Sequence, residues 1–197
     1  MKLAKTVLAI TAGTLFSVAA FAQAAATEVQ RNINQQERIE QGLKSGELTT
    51  REASKLEREE SRVERMQSNA LRDGKVTPQE AARINAAQNK VSNDIYREKH
   101  DAQRGDPNSA SSQRMQADVQ RNINQQKRIE HGIQSGQLTN REVGRLERGQ
   151  ARSNRMEARA GADGHVGPHE QRHIQHNENR QSRHIHHERH DRQHRRG

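Results

Sequence analysis

The sequence predicts an all-α protein of two tandem helix-loop-helix repeats with three helices each. The segment VQRNINQQER at 29–38 returns ninety residues later as VQRNINQQKR at 119–128. The match extends without a gap over 28–103 and 118–193, and about half of the aligned positions are identical, so one unit is written twice. Apolar residues recur at the three-and-four spacing of amphipathic helices, and no segment alternates as a β-strand does.

The first 26 residues have the pattern of a secretory signal peptide. Two lysines precede an apolar run at 7–22, and small residues allow cleavage after Ala22 or Ala24. The strongly apolar part is shorter than the roughly twenty residues that a bilayer-spanning helix needs. We therefore expect an exported protein, periplasmic or secreted, with no transmembrane span in the mature chain.

Composition restricts both the core and the chemistry. Only 29% of the residues are hydrophobic and 2% aromatic, cysteine is absent, and Tyr96 is the one aromatic residue outside the signal segment. Burial of a Leu or Ile side chain contributes roughly 1.5–3 kcal/mol, whereas ordering each residue costs about 1–2 kcal/mol. Each copy should therefore form a thin helix-on-helix seam, without the deep cleft of an enzyme.

Three helices are expected in each copy at matching positions. In the second helix Leu56, Val63 and Ala70 share one face, and the intervening charged residues are expected on solvated faces. The six helices are predicted near 28–42, 50–70, 78–101, 118–132, 140–160 and 168–193.

Residues 104–117 should form a flexible linker, because glycine, proline and serine are frequent there. The linker divides the mature chain into repeat 1 at 27–103 and repeat 2 at 118–197. Repeat 2 has lost several apolar residues, and we expect it to pack less well and to be partly disordered. Leu71, Ala81, Val91 and Tyr96 of repeat 1 correspond to Gly161, Gln171, Gln181 and His186.

The joints between helices share the pattern of a small polar residue, Gly, any residue, an apolar residue, Thr, two residues and Glu. It occurs at 45–52 and at 73–80. In the simpler interpretation, Gly46 and Gly74 end one helix in the left-handed conformation. The Thr and Glu residues then form a capping box for the next helix.

The joints also resemble degenerate EF-hand calcium loops. In that alignment Asn69, Leu71, Asp73 and Glu80 occupy loop positions 1, 3, 5 and 12, which implies a weak calcium site. Leu71 offers no ligand, and most of the required carboxylates are missing from the other joints. The departure argues against calcium.

A second resemblance lies at 48–52. The residues LTTRE are similar to the LTxxQ motif of small exported all-helical proteins of the Spy type, with Glu52 where that motif has Gln. The resemblance implies an envelope chaperone or a metal-responsive protein.

Histidines are concentrated at the C-terminal end, where nine of the eleven lie. If this segment is helical, two sets project from single faces: 169, 173 and 176, and 187, 190 and 194. Neutral imidazole suits Cu, Ni and Zn rather than calcium or magnesium. The predicted metal ligands are His165, His169, His173, His176, His184, His186, His187, His190 and His194.

Two classes of function remain open. One is a non-enzymatic exported protein that sequesters or buffers transition metal; the other is a periplasmic chaperone or structural stress protein, with unfolded clients and incidental histidines. The net charge of +9 also allows anionic envelope components as partners. Export and the lack of aromatic stacking platforms argue against nucleic acid. The letters HEQRH at 169–173 match a zinc-protease spacing, but no apolar helix or third ligand accompanies them.

Overall fold

The computed structural model describes residues 15–191, and within this range it contains α-helices and no strand. The first fourteen residues of the predicted signal peptide, and His194, lie outside the described residues. The all-α prediction is confirmed. The six helices are α1 Leu15–Ser45, α2 Thr50–Ala70, α3 Pro78–Lys99, α4 Ala110–Gln134, α5 Asn140–Ala160 and α6 Pro168–His190.

Capping explains where α2 and α3 begin. The Thr49 and Thr77 hydroxyls each accept a hydrogen bond from the backbone N–H three residues on, at 3.2 Å. The Glu52 and Glu80 carboxylates accept from the N-cap backbone in return, at 2.8 and 2.9 Å. Both capping boxes predicted from the sequence are therefore confirmed. Gly46, with φ of 75°, adopts the left-handed conformation in the turn before α2.

Helix α4 begins at Ala110, inside the segment predicted to be a linker. Ser109 is its N-cap, and the hydroxyl accepts a hydrogen bond from the Ser112 N–H at 3.2 Å. Ser111 and Ser112 of the first turn and Met115 of the second turn are buried, so the start of α4 is held by the core. The linker prediction was wrong here because serine, a poor residue inside a helix, is among the preferred N-caps.

The most extensive packing joins α2 to α5 and α1 to α4, while α3 packs on α1 and α2, and α6 on α4 and α5. Helices α2 and α5 are antiparallel, since Gly161 lies against Ser54 and Gly144 against Leu71. At their crossing the Ser61 hydroxyl donates to the Ala151 carbonyl at 2.9 Å. One hydrophobic cluster takes residues from all six helices.

The expected loss of packing in the second copy was wrong. A Cβ on Gly161 would stand 2.7 Å from Met115 Cε and 3.0 Å from Ser54 Cβ. The residues ninety positions away from these three are Leu71, Ala25 and Gly144, and a Cβ on Gly144 would stand 2.9 Å from Leu71 Cβ. The side-chain volume that Gly161 lacks relative to Leu71 is supplied by Met115, which is larger than its equivalent Ala25.

The polar replacements are also matched by their surroundings. Buried Gln171 donates to Asp118 Oδ1 at 2.6 Å. Gln181 donates to the Leu146 carbonyl at 2.9 Å and occupies the space that Gly149 leaves open. Tyr96 is 60% exposed and contributes little to the core. Having His186 at the equivalent position of the second copy therefore costs little packing.

Candidate functional site

Helix α6 carries the predicted metal ligands on its solvent side. Ile174 and Ile185 are fully buried and fix the face that the helix turns to α4 and α5. The imidazoles therefore point away from the core, except that of His184, which is partly buried. His165 lies exposed in the preceding turn, where its N–H donates to Asp163 Oδ1 at 2.8 Å. The exposed histidines of the helix are His169, His173, His176, His186, His187 and His190.

These histidines are brought together as pairs. The ring centroids of His169 and His173 are 4.6 Å apart, and those of His186 and His190 are 4.2 Å apart in a stack. His184 Nε2 lies 2.9 Å from Glu188 Oε1. Among residues 15–191, no three imidazoles have ligand nitrogens within 4.8 Å of one another. His176 and His187 therefore stand apart from the predicted sets of three.

Two clusters of three acidic side chains have their carboxylate oxygens within 4.8 Å of one another, and the sequence analysis missed both clusters. Glu52, Glu98 and Asp101 form one, and Glu142, Glu188 and Asp191, each ninety residues later, form the other. A basic side chain reaches each group, since Lys55 Nζ lies 2.6 Å from Glu98 and Arg145 lies 3.6 Å from Glu188. The identity of all three acids between the copies was the signal that could have revealed them.

The polar residues that resemble an EF-hand loop form hydrogen bonds with residues two or three positions away. Asp73 Oδ1 accepts from the Lys75 N–H at 3.0 Å, and Asn69 Oδ1 accepts from Arg72 at 3.3 Å. Glu80 is turned back to the cap of α3, where its carboxylate accepts from Thr77. The hydrogen bonds of this loop are those of a capped helix joint.

Glu170 of the HEQRH letters is also a capping residue. Its carboxylate accepts the Gly167 N–H at 2.8 Å, in the first turn of α6. His169 and His173 flank it on an exposed surface, and Glu170 and His173 border a groove of about 220 Å³ next to Met156 and Ile174.

Acidic residues of α2 and α5 lie in the core, which contradicts the expectation of solvated charged faces. Glu57, Glu60 and Glu64 of α2 are at most 1% exposed. Glu147 and Glu157 of α5 are fully buried beside them. Amide side chains from α1 and α4 donate to several of these carboxyls; Gln36 reaches Glu57 at 2.9 Å, for example. The mid-section of the helix bundle is therefore polar.

Burial raises the pKa of these carboxyls. It raises the pKa of Glu57 and of Glu147 to about 8 and that of Asp118 to about 7, because the charged form loses its hydration. The pKa of Glu60 is well above its ordinary value for the same reason, and the neighbouring carboxylates raise it further. Glu57, Glu60 and Glu147 therefore hold protons in the folded protein at neutral pH, whereas Asp118 is partly ionised there.

Basic residues of α2 and α5 occupy the opposite, solvent-exposed face. Every exposed residue of α5 is an arginine, and Asn69 is the one uncharged residue among the exposed positions of α2. The sequence analysis missed this segregation because it used the net charge alone and did not place the arginines by helical angle. The exposed basic residues are Arg51, Lys55, Arg58, Arg62 and Arg65 of α2 and Arg141, Arg145, Arg148, Arg152, Arg155 and Arg159 of α5.

Comparisons with known proteins give no relative. No protein-family model matches the chain, and neither a curated protein nor a solved structure shows significant similarity to it. Within residues 15–191, no helix has an apolar stretch long enough to cross a bilayer.

Proposed function

We propose that this chain is a non-enzymatic, exported protein that sequesters or buffers a divalent transition metal on α6. The observation that carries the proposal is the exposed pairing of His169 with His173 and of His186 with His190. Imidazole nitrogens are ligands for Cu, Ni and Zn, and residues four apart on a helix lie close enough to share one ion. Two such pairs near opposite ends of one helix favour two separate sites.

An ion held by two imidazoles keeps open coordination positions, which water or a second molecule fills. Such a site suits exchange and buffering better than permanent structural binding, since structural sites are closed by four protein ligands. The export expected from the first 26 residues would place this activity in the periplasm or outside the cell.

We further infer that the six helices are two copies of one three-helix unit. The gap-free match of the two segments supports this, as do α2 and α5, whose bounds differ by ninety residues at both ends. The histidines would then be an addition to the second copy.

The chaperone alternative finds less support. In the described part of the chain, Tyr96 is the one large hydrophobic side chain that is exposed. Unfolded clients are held through apolar patches, and a single tyrosine does not make one.

Calorimetric titration of the protein with Cu²⁺, Ni²⁺, Zn²⁺, Mn²⁺ and Ca²⁺ tests the metal proposal. We expect Cu²⁺ or Ni²⁺ to bind more tightly than Mn²⁺, and affinity to fall in acid solution, because protonated imidazole cannot ligate. Replacing His169 and His173 with Gln should remove one class of sites, and replacing His186 and His190 the other.

A matched control replaces His100 and His131, which lie outside α6, with Gln. This variant should bind as the unaltered protein does. If the metal stoichiometry is the same in all three variants, or if binding is weaker than millimolar, the proposal is wrong.

A further inference from the structure

The arginine face of α2 and α5 is not balanced by acidic side chains. The middle of this face, between Arg58 and Arg65 on α2 and between Arg148 and Arg159 on α5, makes no ion pair with any carboxylate of residues 15–191. Unpaired arginines held side by side repel one another, so they favour an external anion. The residues without an ion pair are Arg58, Arg62, Arg65, Arg148, Arg152, Arg155 and Arg159.

Five of these seven arginines line a groove between the two helices. The groove has a volume of about 430 Å³, and small residues, Ser61 and Ala158, lie between its arginine walls. Helix axes in contact are about 8–10 Å apart, which leaves room for a single chain of anionic groups lying between the rows. The arginine walls are Arg58, Arg62, Arg65, Arg155 and Arg159.

The basic surface continues from α5 onto α6. A second groove of about 460 Å³ lies there, with Arg145, Arg148, Arg152 and Arg180 among its lining residues. Arg148 and Arg152 of this groove and Arg155 and Arg159 of the first groove belong to the same exposed face of α5.

The equivalent surface of the first copy shows that this positive charge is not inevitable. There Lys90 pairs with Glu59 at 3.1 Å and also with Asp94. Ninety residues later, Gly149 and His184 replace these two acids. The surface between α5 and α6 has therefore lost the two carboxylates that neutralise the equivalent surface between α2 and α3, and it has kept the basic side chains.

The residue types indicate the ligand. Ten of the eleven exposed basic residues on α2 and α5 are arginine, whose planar guanidinium matches phosphate oxygens in a bidentate way, which lysine cannot do. None of the residues that line either groove is Phe, Tyr or Trp, so nucleic-acid bases would find no stacking platform. No acidic residue lines the groove between α2 and α5: Glu59 of α2 pairs with Lys90 of α3, and the other acidic residues of the two helices are buried.

We propose that the groove between α2 and α5 binds a linear chain of phosphoryl groups without bases, of the inorganic polyphosphate type. The chain would lie along the helices, with guanidinium groups on both sides. None of the residues that line this groove is a histidine, but Arg159 also borders a smaller groove that His173 lines. The test is therefore made in the presence of a chelator.

The test measures binding of inorganic polyphosphate of defined length to the purified full chain at several salt concentrations. Polyphosphate should bind more tightly than pyrophosphate, and log K should fall linearly with log salt, as for other polyanions. A variant with Arg58, Arg62, Arg155 and Arg159 all changed to Gln should lose about tenfold or more in affinity and show a shallower salt slope.

The control variant changes four exposed basic residues on other surfaces to Gln, with the same change in net charge: Lys75, Arg83, Arg172 and Arg183. It should lose less than about threefold, because the distant charges act only through a screened field. Circular dichroism of both variants establishes that helicity is retained.

Equal losses in the two variants would show that net charge alone is responsible and would overturn the proposed site. The ligand assignment fails if pyrophosphate binds as tightly as polyphosphate. It fails too if a single-stranded oligonucleotide of equal charge displaces polyphosphate at equal concentration.

Discussion

At the scale of single residues, the buried carboxyls have the largest physical consequence. Glu60 is fully buried, and neither of its carboxyl oxygens has a hydrogen-bond partner within the described part of the chain. A charged carboxylate in such a place is costly, so the proton stays bound in the folded state. In the unfolded chain the same group ionises near pH 4.5.

This difference sets the sign of the pH dependence. Carboxyl groups with a raised pKa contribute stability that is fully present below about pH 4.5 and is lost as pH rises through the folded pKa, about 8 for Glu57 and Glu147. Between those limits each such group lowers the free energy of unfolding as pH rises. We expect the urea midpoint to fall steadily from pH 5 to pH 8.

Replacing Glu60 with Gln removes one titrating group and keeps its shape, as in the second copy, which has Gln150 at the equivalent position. The variant should be more stable than the original at pH 8, by at least about 1 kcal/mol, and little changed at pH 5. Glu37→Gln, at an exposed position, serves as the control and should leave the pH profile unaltered. A Glu60→Gln profile parallel to that of the original protein would contradict the buried-proton account.

At the scale of helices, local sequence was sufficient for most boundaries. The start and end of α2 and α5 were predicted to the residue, because capping boxes and turn glycines act over four to eight positions. The start of α4 was not, since the beginning of this helix is stabilised by burial of Met115 against other helices. In α2 and α5 the position of each residue around the helix axis decides whether its charged side chain is buried or exposed, and the net charge does not reveal this.

The candidate site divides in the same way. Which face of α6 carries the imidazoles follows from Ile174 and Ile185, which the sequence already places on one side. Whether the histidines meet in pairs or in sets of three depends on their side-chain rotamers, and the spacing in the sequence does not determine these. The twin carboxylate groups join α2 or α5 to the end of another helix, as Glu52 with Glu98 does, and such a meeting requires the tertiary fold.

The matched side-chain sizes of Gly161, Met115 and Ser54, which lie on three different helices, give a prediction at this scale. Gly161→Leu should destabilise the protein by roughly 1–3 kcal/mol or more, because its side chain meets Met115 and Ser54. Adding Met115→Ala and Ser54→Gly reproduces the residues Leu71, Ala25 and Gly144 of the other copy. Urea unfolding should show that the triple variant recovers most of the loss. Losses that add in the triple variant would contradict compensation between these three positions.

At the scale of the whole molecule, the two segments depend on each other. Helix α2 makes its most extensive contact with α5, and α1 with α4, so each segment lacks its main partner when alone. A fragment of residues 27–103 should be poorly helical when dilute. At higher concentration it should dimerise through α2, with helicity that depends on concentration and is greater at pH 5 than at pH 8. Sedimentation and circular dichroism test this; a dilute monomeric fragment with full helicity would contradict it.

The antiparallel pairing of α2 with α5 also determines the order in which the chain can reach its native state. Most all-helical proteins fold fast because their contacts are close in sequence. Here Ser61 bonds to Ala151 across ninety residues. During synthesis, the first three helices therefore emerge with their main packing faces uncovered until α5 has been made. Native packing is completed late, and the polar residues in the middle of those faces limit the apolar surface exposed to aggregation in the interval.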